Sequence, residues 1–302
     1  MFEQLFRLSL LFSVGSIFVV GLCYSPFAYV LSKFNSSLHF KIAHKFFGLF
    51  LMTLNTLTKR FIEFDGENII NPNENYLIIS NHVNYYDFTF ISGLFSQSNT
   101  LGSLKFVIKS EMRSIPGIFQ ILNLLNFLVV ERNYEKDEKT IRTYCRRSIN
   151  NKTSLNMIIF PEGTIITENT MNKSTEFRRS KGLNPLKYVL SPKYRGFELM
   201  VNEFKNSHIK KILDLTFTYP EGEQPSMWGI FFGGKKYKVR YTMNVIDIET
   251  VDDTKEFINQ AWNKKEDWIS RAVNFNDKWY LNKKEIERQN LLPNFQVIEN
   301  NK

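Results

Sequence analysis

The chain has 302 residues and a formal net charge of +9, from 39 Lys and Arg against 30 Asp and Glu. That length holds one large domain with appendages, and the positive surplus suits an anionic membrane surface or a nucleic acid. Nucleic acid is set aside because the chain has no zinc-ligand spacing, aromatic RNA-binding signature or basic recognition helix. Cys23 and Cys145 are the only cysteines, so no disulfide framework is implied and a reducing, cytosolic face is compatible.

Residues 8–32 carry no charge and are rich in Leu, Phe, Val and Ile. Such a run is long enough for a helix to cross a hydrocarbon layer of about 30 Å. Pro26 is placed to kink it or end its regular part. Its length and its lack of a small-residue cleavage site argue against a cleavable signal peptide. Residues 46–57 form a shorter apolar run, which predicts a re-entrant or interfacial helix. His39 and His44 lie in this region and are read as packing residues. Lys33, Lys41 and Lys45 follow the first run while Arg7 and Glu3 precede it, which places the rest of the chain on the cytosolic side. Residues 1–58 are therefore expected to be a membrane anchor of spanning or re-entrant helices.

Residues 76–80 (YLIIS) follow the polar Asn73-Glu74-Asn75 and read as a buried strand. The segment Asn81-His82-Val83-Asn84-Tyr85-Tyr86-Asp87 thus begins at a strand's carboxyl end. In an unbroken helix His82 and Asp87 would point about 140° apart, so their contact requires a turn before the helix begins. Asn84 is suited to supply that turn or cap. Asp87 can then hold one ring nitrogen of His82 and stabilise the imidazolium formed when the other nitrogen takes a proton. General-base work of this kind contributes about 10²- to 10⁴-fold in rate.

Further along, residues 114–125 predict a helix or membrane-facing turn after the Pro116-Gly117 break, and residues 126–130 a strand. Glu135, Asp137 and Glu138 precede Arg142, Arg146 and Arg147, the charge order of a crossover helix. Residues 154–159 (SLNMII) are a second apolar strand, and Phe160-Pro161-Glu162-Gly163-Thr164 follows at its end. Gly163 lets backbone amides approach an anion closely, and the Thr164 hydroxyl adds a donor. Glu162 is ill suited to touch an anion, and is expected to hydrogen-bond a basic side chain or a substrate hydroxyl. Residues 186–190 and 197–204 read as helical, and residues 212–219 as a strand. Residues 237–245 show the period of two of a half-buried strand. His208 reads as a solvated surface residue. Residues 251–290 predict a charged helical segment anchored by Trp262, Trp268 and Trp279, and residues 294–302 a frayed end.

These motifs together resemble the glycerolipid (1-acylglycerol-3-phosphate type) acyltransferase family, whose marks are a His-x4-Asp box and a Pro-Glu-Gly-Thr box. Lys109, Ser114-Ile115-Pro116-Gly117 and Phe127-Leu128-Val129-Val130-Glu131-Arg132 with Asp137 resemble its second box, in which an Arg contacts the acceptor's phosphate. That points to Arg132, whose guanidinium suits a phosphate better than an ammonium does. Leu190-Ser191-Pro192 with Gly196-Phe197 resembles the fourth box. Asp214-Leu215-Thr216-Phe217-Thr218-Tyr219-Pro220, Phe231-Phe232-Gly233-Gly234-Lys235 and the stretch from Trp262 to Trp268 look like the lysocardiolipin and lysophosphatidylinositol branch. Val83 and Phe88 stand where many members of that branch carry Arg and Trp.

The resemblance implies a mixed-sheet α/β acyltransferase sandwich at residues 59–250, behind the N-terminal anchor and before a charged helical segment at 251–302. It implies acyl transfer from acyl-coenzyme A to the free hydroxyl of a lysophospholipid: lysophosphatidic acid, lysophosphatidylinositol or lysocardiolipin. His82 would be the base, Asp87 its orienter, and Arg132, Glu162, Gly163 and Thr164 the substrate-binding residues. Acyl-coenzyme A is a co-substrate, no bound cofactor or metal is expected, and membrane lipids are the partners. The expected location is the endoplasmic reticulum membrane with a cytosol-facing site, or else a mitochondrial membrane. An acyl-coenzyme A hydrolase and a non-catalytic lipid-binding protein are the alternatives.

Overall fold

The computed structural model describes residues 2–59, 61–96, 100–114, 125–222, 224–226, 229 and 236–273. Most of the helix expected at 114–125, the Phe231 to Lys235 motif, Trp279 and the 294–302 tail lie outside the described residues. Seven strands form one sheet in the order β1-β7-β6-β2-β5-β3-β4. They are β1 (Ile62–Asp65), β2 (Tyr76–Ser80), β3 (Leu104–Lys109), β4 (Leu128–Val130), β5 (Asn156–Ile159), β6 (Lys211–Thr218) and β7 (Tyr237–Asp247). Strands β6, β2, β5, β3 and β4 run parallel, β7 is antiparallel to β6, and β1 is parallel to β7. The sheet is therefore mixed, as expected.

The central strand shows how the sequence builds layers. Alternate residues of a strand face opposite sides. Tyr76 and Ile78 enter one core and Leu77 and Ile79 the other, and all four are fully buried. A strand buried on both faces needs the continuous apolar run seen here. The first core is covered by α2 (Ser36–Thr58) and α3 (Asp87–Ser96), through Phe47, Leu51, Phe90 and Phe95. The second is covered by α4 (Tyr134–Asn150), α6 (Arg195–Phe204) and α7 (Thr254–Ala272), through Ile141, Phe197, Phe204 and Trp262. α7, the start of the charged terminal segment in the sequence, packs into the second core through Ile258, Trp262 and Ile269. α5 (Glu168–Ser180) follows the Pro-Glu-Gly-Thr segment and opens with a Thr167–Thr170 capping box.

Residues 2–58 form α1 (Phe2–Phe34) and α2, joined by Asn35, whose side chain accepts from the Leu38 amide and caps α2. The apolar run at 46–57 is thus the second half of one 23-residue helix. α2 presses on the turn before β3 so closely that a side chain at Gly102 would strike the His44 carbonyl. His39 is buried, in line with packing. Among the described residues no helix is long and apolar enough to cross a membrane.

Two local readings fail. Residues 186–190 are not helical, because the amides of Lys187, Tyr188 and Val189 donate to the Glu266 carboxylate at 2.7, 2.8 and 3.3 Å. A carboxylate from α7 has taken the donors a helix would use. His208 is half-buried rather than solvated, with Nε2 2.8 Å from the Thr153 carbonyl.

Candidate active site

The chain passes from β2 into α3 through the turn at residues 81–86. Asn81, fully buried, donates to the Phe217 carbonyl at 2.9 Å and accepts from its amide at 3.1 Å, continuing the pairing with β6 beyond the strand's end. Asn84 turns the chain as its residue type predicts: its side-chain oxygen accepts from the Tyr86 amide at 3.1 Å, and its carbonyl from the Asp87 amide at 3.2 Å. The helix begins only at Asp87. Because of that late start the five-residue spacing closes, with His82 Nδ1 2.9 Å from Asp87 Oδ2.

Asp87 is wholly buried and makes four hydrogen-bond contacts. Oδ2 faces His82 and accepts from the amides of Val83 and Asn84 at 2.8 and 2.9 Å. Oδ1 accepts from the Tyr219 hydroxyl at 3.2 Å. Burial, and then the neighbouring carboxylate, push the Tyr219 phenol well above its usual range, so it stays a donor. The carboxylate is thus fixed from the loop it serves and from the end of β6. Because Oδ2 takes the Nδ1 side, the imidazole offers Nε2, which meets no protein partner among the described residues. The His82 side chain keeps 18% of its surface exposed. The Phe160 ring stacks on it with centroids 4.1 Å apart and planes 16° apart.

Phe160 opens the second motif, which turns tightly after β5: the Gly163 amide donates to the Phe160 carbonyl at 2.9 Å and Gly163 has φ +70°. Glu162 points inward, buried, with Oε1 accepting from the Trp262 indole at 3.2 Å. Its side-chain partner is an indole, where a basic side chain or a substrate hydroxyl was expected. Burial pushes its carboxyl well above the usual carboxylate range. Thr164 is half-buried beside the turn.

Arg132 follows β4 in a left-handed conformation, φ +61°, and its guanidinium donates to the Gly163 carbonyl. A long side chain at positive φ is costly, so this backbone holds Arg132 against the turn at an energetic expense. Lys193 reaches the same place. Its amide donates to the Pro161 carbonyl at 2.8 Å, and its Nζ lies 3.5 Å from where a Gly163 side chain would begin. Lys109 ends β3 one strand away. Burial and then the Arg132 charge lower the pKa of both Lys109 and Lys193. Arg132 and Lys193 thus meet at one glycine turn with the Lys109 charge near both, and among the described residues none of the three forms an ion pair with a carboxylate, Glu111 acting on Lys109 only at longer range. Lys193 and Tyr219 escaped the sequence reading because their partners lie far along the chain. The sole local hints were that each adjoins a proline in a motif already noted.

Among the described residues no three His, Cys, Asp or Glu side chains are grouped to hold a metal ion. The arrangement is an imidazole oriented by a buried carboxylate, beside a glycine turn flanked by cationic side chains.

Residues 61–204 match the acyltransferase family. Lysocardiolipin acyltransferase 1 of Gallus gallus is 26% identical over 262 residues, covering 85% of this chain and 69% of that protein. The Danio rerio protein of the same name is 26% identical over 206 residues, covering 66% of this chain and 53% of its own. The probable 1-acyl-sn-glycerol-3-phosphate acyltransferase 5 of Arabidopsis thaliana is 28% identical over 240 residues, 78% of this chain and 63% of that one. Among solved structures, the 1-acyl-sn-glycerophosphate acyltransferase PlsC of Thermotoga maritima aligns over 84% of this chain and 95% of its own, with 17% identity and a TM-score of 0.48. Residues 61–204 thus carry an acyltransferase domain, and the relatives the chain resembles are glycerolipid acyltransferases.

Proposed function

We propose that the protein transfers a fatty acyl group from acyl-coenzyme A to the free hydroxyl of a lysophospholipid at a membrane surface. The observation that supports this best is the pairing of His82 with Asp87 beside a turn that gathers Arg132, Lys109 and Lys193. In this reading the lysolipid phosphate is held by Arg132 and the two lysines, with the Thr164 hydroxyl adding a donor. An arriving phosphate relieves the mutual repulsion of these cations and replaces the water they give up. The hydroxyl of the acceptor then meets His82 Nε2, which takes its proton as the oxygen attacks the thioester carbonyl. The tetrahedral intermediate collapses with loss of the coenzyme A thiolate, and the imidazolium returns the proton to that sulfur. Asp87 stabilises the imidazolium throughout, and no covalent enzyme intermediate is needed. Glu162 supports the turn from within and does not meet the acceptor.

The N-terminal helices serve as the membrane attachment in this account. Residues 8–32 are uncharged, and Phe12, Val19, Val20, Phe27 and Phe34 of α1 with Met52 of α2 are exposed apolar side chains. Covering them with lipid places the active site where two amphiphilic substrates are concentrated. The charge asymmetry supports a cytosol-facing site, and the family resemblance supports a membrane of the endoplasmic reticulum or the mitochondrion.

The test is acyl transfer from labelled oleoyl-coenzyme A to a panel of lysophosphatidic acid, lysophosphatidylinositol and monolysocardiolipin, using membranes that contain the protein. Formation of one labelled phospholipid supports the reading and names the acceptor. Release of free fatty acid at a rate indifferent to added lysolipid would replace it with a hydrolase.

A further inference from the structure

The family match ends at residue 204, yet α7, fifty residues beyond it, reaches the Pro-Glu-Gly-Thr turn directly. Trp262 is fully buried on α7 and its indole N–H donates to Glu162 Oε1 at 3.2 Å. Indole is a donor only, so this contact has one polarity. The other carboxyl oxygen of Glu162 has no hydrogen-bond partner, and the backbone amides of His82 and Leu190 also act on the group. Among the described residues the indole is the one side chain that hydrogen-bonds this carboxyl.

α7 is itself pinned to the strand that frames the site. Lys265, one turn beyond Trp262 and equally buried, donates to the Asp214 carboxylate, to the Leu215 carbonyl at 2.7 Å and to Thr216 Oγ1 at 3.0 Å. Its ammonium lies 5.2 Å from the centroid of the Trp262 ring. Leu215 pairs with Ser80 at the end of β2, and two residues on Phe217 pairs with Asn81, the neighbour of His82. The indole is thus fixed relative to the backbone that carries the base.

What the indole fixes in turn is a short segment with two outputs. Two residues before Glu162, the Phe160 ring lies against the imidazole, and one residue after it the Gly163 carbonyl receives Arg132. A rotation of the turn about Glu162 would move both together.

We propose that Trp262 is a positioning residue for His82 that acts through Glu162. Its indole N–H sets the turn that holds Phe160 against the imidazole and the Gly163 carbonyl against Arg132. This rests on His82 being the base in acyl transfer, and its test separates the two ideas. Trp262→Phe keeps most of the ring volume and removes the donor. In full-length protein in membranes it lowers kcat about tenfold, a loss on the scale of one hydrogen bond to a buried partner. The KM for acyl-coenzyme A is unchanged, and the effect is not multiplied when Glu162→Leu is added, because both variants cut the same link. Glu162→Gln, which keeps an acceptor for the indole, loses less activity than Glu162→Leu. Carbethoxylation of His82, mapped on its peptide, is faster in Trp262→Phe because the Phe160 ring no longer covers the imidazole as closely.

A Trp262→Phe enzyme with wild-type kcat, or losses in Trp262→Phe and Glu162→Leu that multiply, would overturn the proposal. Were Trp262→Phe to fold poorly, the ordering of the Glu162 variants decides: equal losses in Gln and Leu refute it. If His82→Ala keeps full transfer activity, the base assignment fails and the positioning role goes with it. An inactive His82→Ala beside a fully active Trp262→Phe sinks this inference alone.

Discussion

Replacing Asp87 with Asn tests the electrostatics of the proposed base, His82, with little change of shape. The amide oxygen can occupy the place of Oδ2 and keep the donors from Val83 and Asn84, at 2.8 and 2.9 Å, while the amide nitrogen meets the Tyr219 oxygen. The negative charge opposite the imidazolium is lost. At the 2.9 Å separation of His82 and Asp87, and with an effective dielectric of about 20, the attraction between unit charges is about 6 kcal/mol. Little of it is present before proton transfer, when the imidazole is neutral, so most of the loss falls on the transition state. Each 1.36 kcal/mol is tenfold in rate, which gives a fall in kcat of about three to four orders of magnitude, with the KM of either substrate nearly unchanged. The assay is initial-rate transfer of labelled oleate to the preferred lysolipid, with thermal unfolding measured on the same preparation. An Asp87→Asn enzyme within tenfold of wild type, folded to the same degree, would refute the argument that this carboxylate stabilises the imidazolium.

Other outcomes follow from neighbouring contacts. Tyr219→Phe removes one hydrogen bond to the buried carboxylate and should lower kcat about tenfold at constant KM; steady-state kinetics showing no change would leave the tyrosine a packing residue. Lys193→Met should raise the KM for lysolipid about tenfold and spare that for acyl-coenzyme A, whereas equal effects on both would remove it from the acceptor site. Lys105 is buried between Phe47 and Phe127, and burial pushes its ammonium down to about 7. Below that pH both folded and unfolded chains hold the proton and the full cost of burying the charge, at most about 5 kcal/mol, is present. As pH rises from about 7 toward 10.5 the folded chain releases the proton first and the cost fades, so wild-type stability increases over that interval. Lys105→Met should therefore raise Tm by several degrees at pH 6, with the gain shrinking by pH 9; a lower Tm at pH 6 would contradict the burial cost.

The sequence revealed those parts of the molecule whose cause is local. A strand buried on both faces must be continuously apolar, so residues 76–80 could be bounded without error, and β6 and β7 were placed within two residues at each end. The charge order of α4 and the turn-forming Asn84 were legible for the same reason. Short β1 and the capped α5 went unread, because four residues or a polar helix give little periodicity. The failure at 186–190 has a distant cause, since its amides are claimed by Glu266 nearly eighty residues away. In the site, His82 and Asp87 were visible as a spacing and Gly163 as a turn. Glu162 could be named but not aimed, because its partner Trp262 is a hundred residues on. Lys193 and Tyr219 became functional candidates only when β6 and the turn after β5 were brought alongside His82.

The most direct test of the account is the coupling of thiol release to lipid acylation, measured in one reaction with wild type and His82→Ala. The account predicts that wild type releases one free coenzyme A for each new phospholipid, only when lysolipid is present, and that His82→Ala does neither. Release of coenzyme A without lysolipid, or transfer that persists in His82→Ala, would contradict it.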